Sequence, residues 1–247
     1  MPVLIKFFLI VSCILYSFQS NAEKILAVDY LAYPPYQIQS GGLTKDFIEL
    51  LAKANLGLDI EYIKVTKTQL KLLISQGVPL IIPFANSYWF DKNSELISSK
   101  RLLHEKAYVI SHQKRKLETE NLLPELLDGK LTFLGKKGYK YFVIDELVKE
   151  NKILRYSCDN KNLCLEMLEA YRGDFSVMAK PIYEHYITSL KLDTNKLYMS
   201  KNYLYTQDRF VLMSNIPQKS AQKINAFIYS LKVNPNWQTL LVQYHVD

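Results

Sequence analysis

The sequence predicts an α/β fold. Strand and helix signals alternate along the chain beyond residue 22. The first part reads as a β-α-β-α-β unit, and a second alternating set follows a polar stretch without periodicity at residues 113–120. The roughly 225 residues after position 22 fit either one large domain or two lobes of about 100 each.

The elements follow in order. Residues 24–28 are a short apolar strand, ended by Tyr33-Pro34-Pro35-Tyr36, because two prolines cannot continue a ladder. Leu43, Phe47, Leu50, Leu51 and Ala54 recur at helical spacing, with Gly57 expected as the C-cap. Leu58, Ile60 and Tyr62 alternate as a strand. A helix over 67–75 follows, stopped by Gly77, and then a buried strand at 80–82 between Pro79 and Pro83. The right-handed crossover rule makes this unit a parallel sheet with helices on both faces. Residues 101–112 form a β-rich segment that leads into the polar stretch, the candidate crossing between lobes. Beyond it, helices are expected near 120–127, 139–149 and 162–172, with strands at 131–134, 153–156 and 175–178. A return strand at 203–213 precedes two closing helices, one carrying Ala221, Ile224, Phe227, Ile228 and Leu231 on one face, the other Trp237, Leu240, Leu241 and Tyr244. No fixed-period repeat occurs, which excludes a solenoid.

Residues 1–22 have the pattern of an export signal. Lys6 supplies a positive start, residues 7–16 are an apolar run too short to span a bilayer, and Ser20-Asn21-Ala22 places small residues at a cleavage site. Cleavage after Ala22 is expected in preference to lipid attachment at Cys13, because Ile14-Leu15-Tyr16 continue the apolar run. No later stretch is long and apolar enough for a membrane span.

With Lys6 removed from the 31 basic residues, 30 remain against 24 acidic ones. They are scattered among the acids, which reads as a solvated surface, and export argues against a nucleic-acid partner. The 49% hydrophobic content, with only 8 Gly and 9 Pro, is that of a globular chain. Cys158 and Cys164 are the two cysteines outside the signal. In an oxidising compartment they are expected to form a disulfide, the alternative being two buried thiols. His104, His112, His185 and His245 show no zinc spacing with each other or with the cysteines, so no metal and no cofactor is expected.

An ordered set of features then resembles the amino-acid-binding (family 3, type II) periplasmic binding proteins. Residues 25–36, ending Tyr-Pro-Pro-Tyr, resemble their opening strand and loop, and Gly42 and Phe47 follow where that pattern expects them. Gln76-Gly77, residues 108–110, Gly135-Lys136-Lys137-Gly138 and Arg172-Gly173-Asp174 resemble the family's third-strand turn, hinge strand, second-lobe loop and last strand entry. The resemblance implies two α/β lobes joined by crossing hinge strands: residues 23–112 with 206–247 in lobe 1, and 113–205 in lobe 2. A ligand would sit in the cleft beyond the carboxyl ends of the strands.

The resemblance also implies an arginine for the ligand carboxylate and acids for its ammonium. Asp91 falls where the arginine belongs, and Ala179 and Tyr30 where acids are frequent. Aromatic residues take their place: Tyr33, Tyr36, Tyr88, Trp89, Phe90, Tyr139 and Tyr141 fall in loops aimed at the cleft. Asn86 and Ser87 offer hydrogen bonds. Lys137 and Gly138 open a helix whose N-terminus favours an anion, and Lys180 adds charge. The expected ligand-binding set is therefore Tyr36, Asn86, Ser87, Tyr88, Trp89, Lys137, Gly138, Tyr139 and Lys180.

No Gly-x-Ser-x-Gly, P-loop or Cys/His nucleophile pair is present. The leading expectation is a non-catalytic, monomeric periplasmic protein that captures a small solute other than a standard α-amino acid and serves an inner-membrane ABC transporter. The alternatives are a dehydratase-like enzyme on the same fold, and a ligand-less binding-protein fold acting on a protein partner in the envelope.

Overall fold

The computed structural model describes residues 23–246 except 40, 92, 121 and 123–130. The expected export signal at 1–22 lies outside the described residues, as does nearly all of the helix expected at 120–127.

The first set of elements is β1 (Glu23–Asp29), α1 (Leu43–Lys53), β2 (Leu58–Lys64), α2 (Lys67–Ser75) and β3 (Leu80–Ala85), followed by a short β4 (Leu96–Ser98). β5 (Leu103–His112) leads into the second set: β6 (Thr132–Lys136), α3 (Phe142–Lys149), β7 (Leu154–Cys158), α4 (Lys161–Glu169), β8 (Phe175–Ala179) and α5 (Lys180–Leu190). β9 (Leu197–Ser214) returns, and α6 (Gln218–Ser230) and α7 (Pro235–Gln243) close the chain.

The described strands form one continuous sheet in the order β2-β1-β3-β9-β5-β8-β6-β7, with β4 beside β9. Its two halves share one plan. In one, β1 pairs in parallel with β2 and β3; in the other, β6 pairs in parallel with β7 and β8. Each half ends on a crossing strand running antiparallel, β3 on β9 and β8 on β5. β5 and β9 pair with each other from Leu103 opposite Arg209 to His112 opposite Leu197. These two strands make the crossing; residues 113–120 follow it, anchored by Gln113 N–H donating to Lys196 O and Leu117 N–H to Ser111 Oγ.

Several elements differ from the expectation for identifiable reasons. β3 runs through Pro83, because its register with β9 shifts between Ile82 and Ala85, where the missing N–H is not needed. β9 is 18 residues long and includes the polar stretch before Tyr203, since β5 supplies its hydrogen bonds there. α5 was not expected; it buries only Ile182 and Tyr186, too narrow a stripe to stand out. At the end of α1, Asn55 rather than Gly57 takes the first left-handed position, with φ 51°.

α1 begins at Gly42, where φ is 122°. Its free N–H groups are capped by backbone: Leu43 donates to Pro35 O at 2.9 Å and Thr44 to Tyr36 O at 3.1 Å. The Tyr-Pro-Pro-Tyr turn is thereby locked onto the helix. Phe47, Phe84 and Trp237 pack together on the core side of α1. Cys158 and Cys164 are joined by a disulfide with Cα atoms 5.5 Å apart, linking the end of β7 to α4.

Candidate functional site

The carboxyl ends of the parallel strands of both halves converge on one cavity of about 600 Å³. The loop after β1 supplies Tyr30 and Tyr33, the turn after β3 Trp89, the end of β6 and the loop after it Lys136 to Tyr141, and the start of α4 Lys161. The crossing strands supply Glu105, Tyr205, Gln207 and Arg209. This is where an open α/β sheet leaves a crevice.

The floor is a buried ion pair. Arg209 is 1% exposed and Glu105 is 8% exposed. The Arg209 fork donates to Glu105 Oε2, to Phe84 O at 3.0 Å and to Tyr33 Oη at 3.4 Å. Its guanidinium carbon lies 4.7 Å from the ring centroids of both Tyr36 and Trp89. Glu105 Oε1 accepts from Tyr36 Oη at 2.8 Å, and Oε2 also accepts from Gln207. Burial opposes ionisation of Glu105, but Arg209, Lys161 and these hydrogen bonds outweigh it and hold its pKa below the usual value. Both charges are therefore consumed internally, as a buried pair requires.

Above the floor lie two ammonium groups with no carboxylate of their own. Lys161 Nζ sits 4.2 Å from the Tyr33 ring centroid and 5.4 Å from that of Tyr139. Lys136 Nζ lies 5.6 and 4.5 Å from the same two rings. Burial, aided by Arg209 and Lys136 and opposed by Glu105, pushes the Lys161 pKa down to about 7. Lys136 is lowered too, by burial and then by Lys67.

Local structure sets these positions. Asn160 caps α4 by accepting from Leu163 N–H, so Lys161 is the first helical residue, and the disulfide brackets it on both sides. Arg155 donates to Lys136 O and Tyr139 O and pairs with Asp145, which pins the loop after β6. Gly138 turns that loop with φ 75°. Across the cleft, Lys140 Nζ donates to Tyr88 O at 3.3 Å.

Of the residues singled out from the sequence, Trp89, Lys137, Gly138 and Tyr139 line the cavity, with Tyr33 and Tyr141. Tyr36, Asn86, Ser87, Tyr88 and Lys180 lie outside its lining. Tyr36 is buried beneath the floor on Glu105. Asn86 donates to Asp208 O and caps a short 3-10 turn in which Ser87 and Tyr88 are exposed. Lys180 pairs with Glu184 on the surface. Ala179 and Tyr30 line the cavity, whereas Asp91 is exposed and paired with Lys71. Lys136 stands in the second-lobe loop that the sequence marks, whereas Glu105, Arg209 and Lys161 give no motif in the sequence. A signal was present for two of them: Glu105 shares the buried strand face of Leu103, Ala107 and Val109, and Arg209 that of Val211 and Met213. A charge in phase with an apolar face marks a buried polar site.

No protein-family model matches the chain, and no curated protein matches it in sequence. Solved structures do match in fold. The ancestral amino acid-binding protein AncCDT-1, a precursor of cyclohexadienyl dehydratase, aligns with TM-score 0.67 and 12% identity over 90% of this chain and 94% of that one. The GluR0 ligand-binding core from Nostoc punctiforme, in complex with (L)-glutamate, gives 0.65 and 13% over 90% and 98%. The periplasmic VFT2 domain of Bordetella pertussis BvgS gives 0.65 and 16% over 90% and 93%. The fold is thus that of the type II periplasmic binding proteins.

Proposed function

We propose that the protein is a non-catalytic solute-binding protein that captures a small, ring-bearing anionic solute, and not a standard α-amino acid, in the cavity between its two lobes. Residues 23–112 with 206–247 make one lobe and 113–205 the other. The observation that carries this reading is the state of Glu105. It is the one carboxylate among the described lining residues, and Arg209, Tyr36 and Gln207 already occupy it. A zwitterion buried here finds ammonium groups for its carboxylate and nothing for its own ammonium, and an unpaired buried charge costs several kcal/mol. Tyr33, Trp89 and Tyr139 give the walls apolar faces for a ring. The export pattern at the N-terminus and the fold support a periplasmic monomer that starts at Glu23 and hands its solute to an inner-membrane transporter. No helix among the described residues is long and apolar enough to cross a membrane.

The test is mass spectrometry of small molecules released from natively purified protein, followed by calorimetry against the twenty amino acids and a panel of ring-bearing acids. Saturable micromolar binding of an acid from the panel is expected. The same affinity for an ordinary amino acid overturns the exclusion, and turnover of the bound solute overturns the non-catalytic reading.

A further inference from the structure

The cavity contains more positive charge than a single anionic group needs. Lys64, Lys67, Lys136, Lys137, Lys140 and Lys161 all line it. Among the described residues none of the six makes a salt bridge. Elsewhere on the surface Lys24, Lys45, Lys71, Lys149, Lys152 and Lys180 each pair with an acid. Six cations without an acidic partner thus line the cavity, and the one carboxylate among its described lining residues is neutralised by Arg209.

The six fall into two tiers. Lys161 is 8% exposed and Lys136 half-buried, and both ammonium groups lie within 5.6 Å of the Tyr33 and Tyr139 rings. Lys64, Lys67, Lys137 and Lys140 are exposed around the rim. The rim also carries the N-terminus of α2, where Thr66 and Gln69 form a reciprocal cap and both face the cavity. A buried ammonium without an anionic partner is a cost that a ligand can relieve. A second tier at the rim adds a separate, solvent-screened attraction for another negative group.

We infer that the solute of this site carries at least two negative charges on or beside a ring, one seated between Lys136 and Lys161 and another held by the rim lysines Lys64, Lys67 and Lys140. This deepens the solute-binding reading and rests on it. Carboxylate and phosphate satisfy the inner seat alike, since each accepts several N–H donors; the probes below separate them.

The experiment is calorimetry on the exported form of the full chain at fixed ionic strength and pH 6.5. The probes are benzamide, benzoate, benzene-1,3-dicarboxylate, benzene-1,3,5-tricarboxylate and phenyl phosphate. The expected result is one-to-one binding that tightens at least tenfold from benzoate to the dicarboxylate, with no binding of benzamide. Phenyl phosphate binding more tightly than the dicarboxylate assigns the inner seat to phosphate; the reverse assigns it to carboxylate. The rim variant Lys64→Gln/Lys67→Gln/Lys140→Gln, whose changes are exposed and spare the core, is expected to erase the gain from the second charge, so that benzoate and the dicarboxylate bind it with nearly equal affinity. Lys161→Met is expected to weaken every anion at least tenfold. Equal affinity for benzoate and the dicarboxylate, or no saturable binding of any di- or trianion, overturns the inference. A neutral or zwitterionic solute released from the native protein and rebinding saturably overturns it as well, while leaving solute capture intact. If no solute is released and nothing binds, both fall.

Discussion

The ammonium of Lys161 lies 4.2 Å from the centre of the Tyr33 ring, joining the first residue of α4 to the loop after β1 across the cleft. Burial beside Arg209 and Lys136 brings its pKa to about 7, against about 10.4 for a lysine in an unfolded chain. Below pH 7 the lysine is charged in both states, and the folded protein bears the full cost of the buried charge. Between about pH 7 and 10.4 the unfolded chain binds the extra proton, so stability rises with pH across that window. Lys161→Met is therefore expected to stabilise the ligand-free protein by roughly 4–5 kcal/mol below pH 7, with the gain fading towards pH 10.4. Urea unfolding across this range checks it.

Anion binding should run the other way with pH. An anion needs Lys161 protonated, so affinity is expected to be greatest below pH 7 and to fall by up to about tenfold per unit above it. Lys161→Arg, which stays charged throughout, should flatten the profile. Calorimetry from pH 5.5 to 9 decides between the two shapes.

The Glu105–Arg209 pair should be unforgiving of single changes. Glu105→Gln leaves a guanidinium buried without its carboxylate, for an expected loss of about 3–5 kcal/mol. Glu105→Gln/Arg209→Met should recover a large part of that, because no lone charge remains. Denaturant midpoints of the two variants measure the difference.

Reduction of Cys158–Cys164 should cost stability and affinity together. Opening so short a loop removes up to about 2–3 kcal/mol in the chain-entropy model. It also frees the segment that carries Lys161. A lower melting temperature and weaker anion binding in reductant are expected, with two thiols titrating only after reduction of the denatured protein.

Gly42→Ala is expected to cost more than 2 kcal/mol. A Cβ there would meet the Tyr36 carbonyl oxygen that caps α1, at a φ of 122° that other residues avoid. A thermal melt of the variant tests this directly.

Patterning made most of the fold legible. The two parallel triplets of strands and helix α2 at 67–75 follow from spacing and from Gly and Pro punctuation. α5 and β4 give only short or narrow signals, and the start of β9 gives none because its first residues are polar and are held by β5. The site was legible only in part. Trp89, Lys137, Gly138 and Tyr139 stand in loops that the fold places at the cavity, and loops are where sequence reading looks for function. The floor was hidden because Glu105 and Arg209 lie 104 residues apart and meet only through the register of β5 and β9. Lys161 was hidden because its burial comes from Tyr33, far away in the chain.

The 18-residue β9 also dictates the order of events when the chain first folds. β3 finds its antiparallel neighbour in residues about 130 positions further along, and β5 waits for the same strand. β3 therefore gains its antiparallel neighbour, and its link to β5, only when β9 at Leu197–Ser214 is available. High sequence separation of this kind slows folding, since loop closure must precede the contacts that reward it. A chain that cannot complete its sheet early stays open longer. Once β9 docks, both halves gain their shared strand in the same step, and unfolding should run as one transition rather than two.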